Sequence, residues 1–418
     1  MAEWRAGATV VVVRKLIIEP WIPRAIAVLL AAVVIAALLF SKAETRPAES
    51  VSDDTVVAIL GSTSVPYPGK LREAAARVRE TPGDQAAAIT AARQYLDYGR
   101  AIGDARFVGA ALGVLQPWLN DRAGPQVLNL AASARQYTHD FDGAIELLDR
   151  AIALDPRNAQ ALLSRADINI VKGRFAEAAG DCLRLAQARR GDLAVLCDTT
   201  AKALTSEASE AYERLDRLVS LRALDPALDG YAQSLLAEVA RFQEWPDKAR
   251  VKFEAARAAD PDDLRTLMIF ADFELAQGRA KEALQLLKSA PATDSVMVRQ
   301  AVAFKATGND AELARLKQTL RGRFEAAVAS GETAHAREAA RYWLEVEGDA
   351  RAALIAAEAN WKGQRELEDA LLLVASAAAA GRPAAAAPVE EWASAEGVVA
   401  PMFRLAVERA KLHARRAE

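Results

Sequence analysis

At 418 residues the chain is long for one globular core, which leaves two or three domains or one extended repeat array. Aromatic residues make up only 6% of it and good helix formers dominate, with Val and Ile runs confined to the first forty residues, so closely packed helices are expected rather than sheets. The net charge of -3 is spread with both signs interspersed, without the basic stripe of a nucleic-acid binder, and the Ala- and Arg-rich usage is of the kind a GC-rich bacterial genome produces.

Residues 1–24 read as a cytoplasmic segment. Residues 25 to 40, AIAVLLAAVVIAALLF, carry neither a charge nor a helix breaker. As a helix they span about 24 Å, and Trp21, Arg24 and Lys42 extend that towards the ~30 Å of a hydrocarbon layer. A transmembrane helix is therefore expected at 25–41. Arg5, Arg14, Lys15 and Arg24 precede it, while Lys42 and Arg46 follow among acids, which keeps the N-terminus in the cytoplasm and exports the rest. The alternative is a signal peptide cleaved after Ala43, at Ser41-Lys42-Ala43. Residues 42–69 lack helical periodicity and read as a linker.

Helical patterns begin near Leu71. Breaks at Gly103, Gly124-Pro125, Pro156, Gly173, Pro226, Pro261, Gly278, Gly308, Gly348 and Gly381 allow helices of roughly 12 to 17 residues. Several residues recur at 34: Phe141 and Phe175, Ala144 and Ala178, Ala249 and Ala283, Ala256 and Ala290. Each unit has a helix, a turn, a second helix and a Pro-containing exit, as at Asp155-Pro156, Asp225-Pro226 and Asp260-Pro261. No unit can bury its apolar face alone, so the units must stack.

With Asp142-Gly143-Ala144-Ile145-Glu146-Leu147-Leu148-Asp149-Arg150-Ala151 closing at Leu154-Asp155-Pro156, and with Ala249, Phe253, Ala256 and Asp260-Pro261 further on, the sequence resembles the tetratricopeptide repeat (TPR) family. Arg165 departs from that pattern, standing where a buried apolar residue is usual. The resemblance implies an all-α, right-handed superhelical solenoid of helical hairpins after one transmembrane helix. It divides the chain into divergent hairpins at 70–124, TPR repeats at 125–295, TPR-like hairpins at 296–380, and a C-terminal linker and capping helix at 381–418.

No catalytic constellation accompanies this pattern. His139, His335 and His413 lie on separate units, Cys182 and Cys197 cannot make a four-ligand zinc site, and neither a phosphate-cradling loop nor a nucleophile elbow is present. Acid pairs such as Asp262-Asp263 and Glu390-Glu391 fall at helix starts, where capping explains them. Neither a cofactor nor a metal is implied. Cys182 and Cys197 fall on helix faces that should share a seam, which permits a disulfide if the Cα atoms come within ~7 Å. Two buried free thiols are the alternative.

The family's first helices line a concave groove. That places Asn129, Ser133, Gln136 and Tyr137, then Asp167, then Tyr231, Ser234, Glu238, Arg241 and Phe242, and finally Arg265 and Asp272 towards a protein or peptide partner. The expected function is a non-catalytic scaffold or adaptor at the bacterial inner membrane, with its repeats in the periplasm, serving assembly of an envelope complex. A subunit of a membrane enzyme complex and a cytoplasm-facing receptor are the alternatives.

Overall fold

The computed structural model describes residues 68–102, 104–330 and 335–417. Among them every regular element is helical. Helix α1 (Gly69–Glu80) precedes the hairpin α2 (Gln85–Ile102) and α3 (Ala105–Leu115). Next come α4 (Pro125–Tyr137) with α5 (Phe141–Leu154), α6 (Ala159–Val171) with α7 (Phe175–Gln187), and α8 (Gly191–Lys202) with α9 (Ala208–Ser220). The pairs α10 (Asp229–Phe242) with α11 (Pro246–Ala259), α12 (Leu264–Ala276) with α13 (Ala280–Leu286), and α14 (Asp294–Thr307) with α15 (Asp310–Ser330) continue the array. Helix α16 (Ala336–Arg341) runs on through a π-helical turn to Glu347 and pairs with α17 (Ala350–Trp361). Last are α18 (Leu367–Ala379), α19 (Ala387–Ala395) and α20 (Pro401–Ala417). The result is a TPR-like solenoid of stacked hairpins. No described helix is long and apolar enough to cross a membrane, and residues 25–41 lie outside the described residues.

Local chemistry fixes the hairpins. The tight turn inside a hairpin needs one left-handed residue, and Gly173, Gly278, Gly308 and Gly348 supply it. His139 (φ 62°) and Glu244 (φ 57°) take the same position without being glycine. Asp140, Asn158, Asp263, Thr293 and Asp349 each accept a backbone N–H in the first turn of the helix that follows. Asp155 and Asp260 leave α5 and α11 in extended geometry ahead of Pro156 and Pro261.

Ala144, Ala178, Ala249 and Ala283 are all fully buried, so the 34-residue spacing marks the close-approach points between helices. Ala290 breaks the series. Helix α13 ends at Leu286, before Pro291, and leaves Ala290 half-buried in the turn. Arg165 is accommodated by charge: its guanidinium forks onto Asp181 (2.8 and 2.5 Å) and reaches Asp149 (2.5 Å). Cys182 on α7 and Cys197 on α8 are joined in a disulfide, with Cα atoms 5.4 Å apart.

The C-terminal segment differs from the expected end cap. Phe175, Leu204, Leu236 and Phe270 share one apolar cluster with Trp361, Leu373, Trp392 and Phe403. Helix α18 is buried over most of its surface, from Leu367 and Ala370 through Leu373, Val374 and Ala378, with Ala375 and Ala379 on its open side. Polar contacts pin this lobe to the middle of the array. Arg365 N donates to Val171 O (2.7 Å), Trp392 Nε1 to Gly173 O (3.1 Å), Phe175 N to Glu396 (3.0 Å), and Val399 N to Leu204 O (2.9 Å). The apolar side of α20, including Phe403, therefore finds its cover on the molecule's own inner face rather than at an open end of the stack.

Candidate functional site: a polar compartment on the inner face

Four first helices and the connection before α18 bring polar side chains together. Gln136 on α4 donates its amide to Asp167 on α6 (2.5 Å). Tyr231 and Glu238 lie two turns apart on α10, and Arg265 on α12 reaches Glu238 at 2.7 Å. Glu366, at the N-cap of α18, closes the group: its negative charge acts on Asp167 and on Arg265.

Tyr231 keeps 45% of its surface and Arg265 48% of its side chain open to water. Yet burial is the main cause raising the Tyr231 phenol, and burial, aided by Glu366, also raises the exposed Asp167 carboxyl. These side chains touch water while protein surrounds them. Burial likewise lifts Glu238 above the usual carboxylate range, although Arg265 opposes it.

Deeper in, ion pairs dominate, and Glu338 accepts from the Ser295 hydroxyl (2.7 Å). Asp272 holds Arg299 (2.7 Å) and Arg341 (2.6 Å). Burial opposes its ionisation, but the two guanidiniums outweigh burial and lower its pKa. Glu368 pairs with Arg241, and despite burial the charges of Arg241 and Arg337 hold its carboxyl low. Arg337 bridges Glu366 (2.5 Å) and Asp369 (2.6 Å). Burial pushes the Asp369 carboxyl up to about 6 against that arginine, and the neighbouring Glu366 adds to the rise. Gln364 accepts from Arg337 (2.9 Å) and turns its amide towards His139 Nδ1 (2.5 Å).

The expected groove residues thus separate into four groups. Gln136, Asp167, Tyr231, Glu238 and Arg265 meet around the compartment. Arg241 and Asp272 are committed to ion pairs within the inner face. Ser234 is buried, accepting from Thr266 (2.8 Å), and Phe242 is buried in the core, so neither is presented to a partner. Thr266 on α12 closes over Ser234, and Phe242 shares its apolar cluster with the C-terminal lobe. Asn129 donates to Asn158 (3.2 Å), and Ser133 and Tyr137 are half-buried further along α4.

The expected set lacked His139, Arg337, Gln364 and Glu366. The run Gln364-Arg365-Glu366-Leu367-Glu368-Asp369, an acidic start to an almost uncharged helix, was the available signal that polar groups are buried there. Among the described residues no group of His, Cys, Asp and Glu is placed to hold a metal ion.

Comparison with known proteins agrees with this architecture. Residues 129–192 and 243–303 match tetratricopeptide repeat family models, so the chain carries TPR repeats, the class of module that binds protein partners. No curated protein sequence matches the chain. Among solved structures, the APC/C hetero-tetramer Cut9–Hcn1 is similar at 12% identity and a TM-score of 0.39, over 82% of this chain and 86% of that one. Yeast Tom70 is similar at 12% identity and 0.25, over 83% and 97%. The P58(IPK) TPR domain is similar at 14% and 0.22, over 78% and 99%.

Proposed function

We propose that the protein is a non-catalytic scaffold that engages a partner polypeptide through the inner-face compartment, tethered to the bacterial inner membrane by residues 25–41 with its repeats in the periplasm. The observation that carries the binding reading is the ring of Gln136, Asp167, Tyr231 and Arg265, where side chains stay open to water on a face otherwise closed by ion pairs and apolar packing. The Cys182–Cys197 bridge supports an oxidising compartment. The excess of Lys and Arg before residue 25 supports the orientation. Assembly of an envelope complex is the role this placement suits, since a tether raises the local concentration of scaffold and client.

A photo-crosslinking residue at Tyr231, introduced in cells, is expected to capture a specific protein that the same residue at exposed Val251 does not. Identical capture from both positions overturns the compartment as the binding site. Protease digestion of intact spheroplasts is expected to degrade the repeats. Their protection reverses the topology.

A further inference from the structure

A cleft lies at the opposite end of α10 from Tyr231. The α10–α11 turn, the end of α12, the open side of α18 and one side of α20 enclose about 420 Å³, a volume within the range of ligand clefts. Trp245, Phe273, Leu371, Met402 and Leu405 make its lining largely apolar. It shares no residue with the compartment around Asp167.

An apolar stripe on α20 continues past the cleft. Leu405 and Leu412 are seven residues apart, so they lie on one side of the helix about 10 Å from each other along its axis. They keep 39% and 55% of their surface open. Arg409 stands between them on that side and lines the cleft.

The charge here is positive. Helix α20 carries Arg404, Arg409, Lys411, Arg415 and Arg416 against Glu408. Lys411 pairs with Glu390 (3.0 Å), whereas Arg404 and Arg409 form no ion pair among the described residues. Within the lining, Glu244 is the single carboxylate against Arg241 and Arg409. Arg241 answers Glu368, but the Lys248 ammonium, 4.5 Å from the centre of the Trp245 ring, adds a further cation. An anionic membrane surface also attracts basic helices, but it needs a free apolar helix face. That face of α20, with Phe403, Val407 and Ala410, is already packed on the core.

We propose that this cleft and the adjoining stripe of α20 dock an acidic segment of a partner protein. One apolar side chain of the segment sits among Trp245, Phe273 and Leu405, a second rests on Leu412, and the carboxylates between them meet Arg409. This is a second docking surface, and it stands without the inner-face reading.

The test is calorimetric titration of the full chain, at physiological salt, with the acetylated and amidated hexapeptide Asp-Phe-Glu-Asp-Leu-Glu. Extended, it holds Phe and Leu about 10 Å apart. Saturable binding is expected, weakened roughly fivefold or more when its Phe and Leu become Ala or its acids become Lys. Arg409→Glu and Ala375→Phe, the latter filling the cleft from α18, should weaken it as much. Both positions are exposed, and an unchanged melting temperature verifies that the fold persists. Arg404→Glu makes the same charge change on the same helix outside the lining and should cost about twofold at most. Absence of saturable binding at millimolar peptide, equal losses in Arg404→Glu and Arg409→Glu, or full binding by Ala375→Phe overturns the proposal. So does displacement of the peptide by phosphatidylglycerol vesicles but not phosphatidylcholine ones, which would make the face a lipid surface. The crosslink at Tyr231 tests the inner-face reading by itself, and either can fail alone.

Discussion

Single side chains show how this protein handles charge inside a helical stack. Glu347 is almost fully buried and accepts from Lys317 (2.7 Å), Arg321 (2.8 Å) and the Tyr342 hydroxyl. Burial opposes its ionisation, but these three donors hold it down at about 2. A carboxyl depressed in the folded state stabilises above its unfolded value near 4.5, and that contribution is lost as pH falls towards 2. Glu347→Gln is therefore expected to cost about 2 kcal/mol at pH 7. The gap from the parent should close as urea melts are repeated between pH 4.5 and 2; a gap that persists there would contradict this role.

His139 has the opposite sense of protonation. Gln364 presents its amide N–H to His139 Nδ1, which must accept, and burial lowers the imidazole below its ordinary 6.5. The clasp is complete above that value and weakens as pH falls below it. An NMR titration should find the ring's midpoint below 6.5, and a midpoint above it would refute the assignment. Gly173 answers to two demands at once, a left-handed φ of 68° and a Cβ position already taken by the Trp392 indole. Gly173→Ala is expected to lower stability by about 1–3 kcal/mol, read by thermal melting, whereas the same change at Gly278, which has open space around it, keeps only the backbone part of that cost.

At the level of elements, the disulfide and the helix starts follow from sequence pattern, and the inner helices do not. Cys182 and Cys197 sit in phase with apolar neighbours on adjacent helices, which is why their seam could be read. Their bridge closes a separation of 15 residues and is expected to contribute about 3 kcal/mol. Reduction under mild denaturant should lower the midpoint in the parent and leave the double Cys→Ala variant unmoved. The turns at Gly173, Gly278 and Gly308 were equally visible, whereas those at His139 and Glu244 were hidden because the left-handed residue is not glycine. The groove positions were only half legible. Asp167, Tyr231 and Arg265 do face the inner space, because the repeat register alone points them there. Ser234 does not, because Thr266 on the next first helix covers it, and Phe242 does not, because it joins an apolar cluster with residues of α18 to α20 more than a hundred positions away, a pairing about which periodicity carries no information.

Across the whole molecule, the returning C-terminal lobe changes what kind of repeat protein this is. In an open array each repeat touches only its neighbours, and unfolding can start anywhere. Here Trp392 holds Gly173 and Arg241 holds Glu368, so hairpins far apart in the chain share one core. A single thermal transition is expected for residues 68–418, with near- and far-ultraviolet circular dichroism losing signal together; separated transitions would show the repeats unfolding independently. Shortening the chain after Gly363 should uncover the apolar faces of α10 and α12 and produce aggregation rather than a smaller stable array.

The same contact sets a timetable. Gly173 emerges from the ribosome 219 residues before Trp392, its partner across the inner face. At roughly 5–20 residues per second that is a delay on the order of 10–40 s, during which α6 to α12 exist without their cover. For that interval the newborn chain displays an apolar trough in place of the finished compartment, and a chaperone or a client already present could occupy it. Nascent chains arrested near residue 380 should accordingly be cleaved rapidly by protease within α10, and released full-length chains slowly. Equal cleavage of both would mean that the early hairpins reach their final form without waiting for the end of the chain.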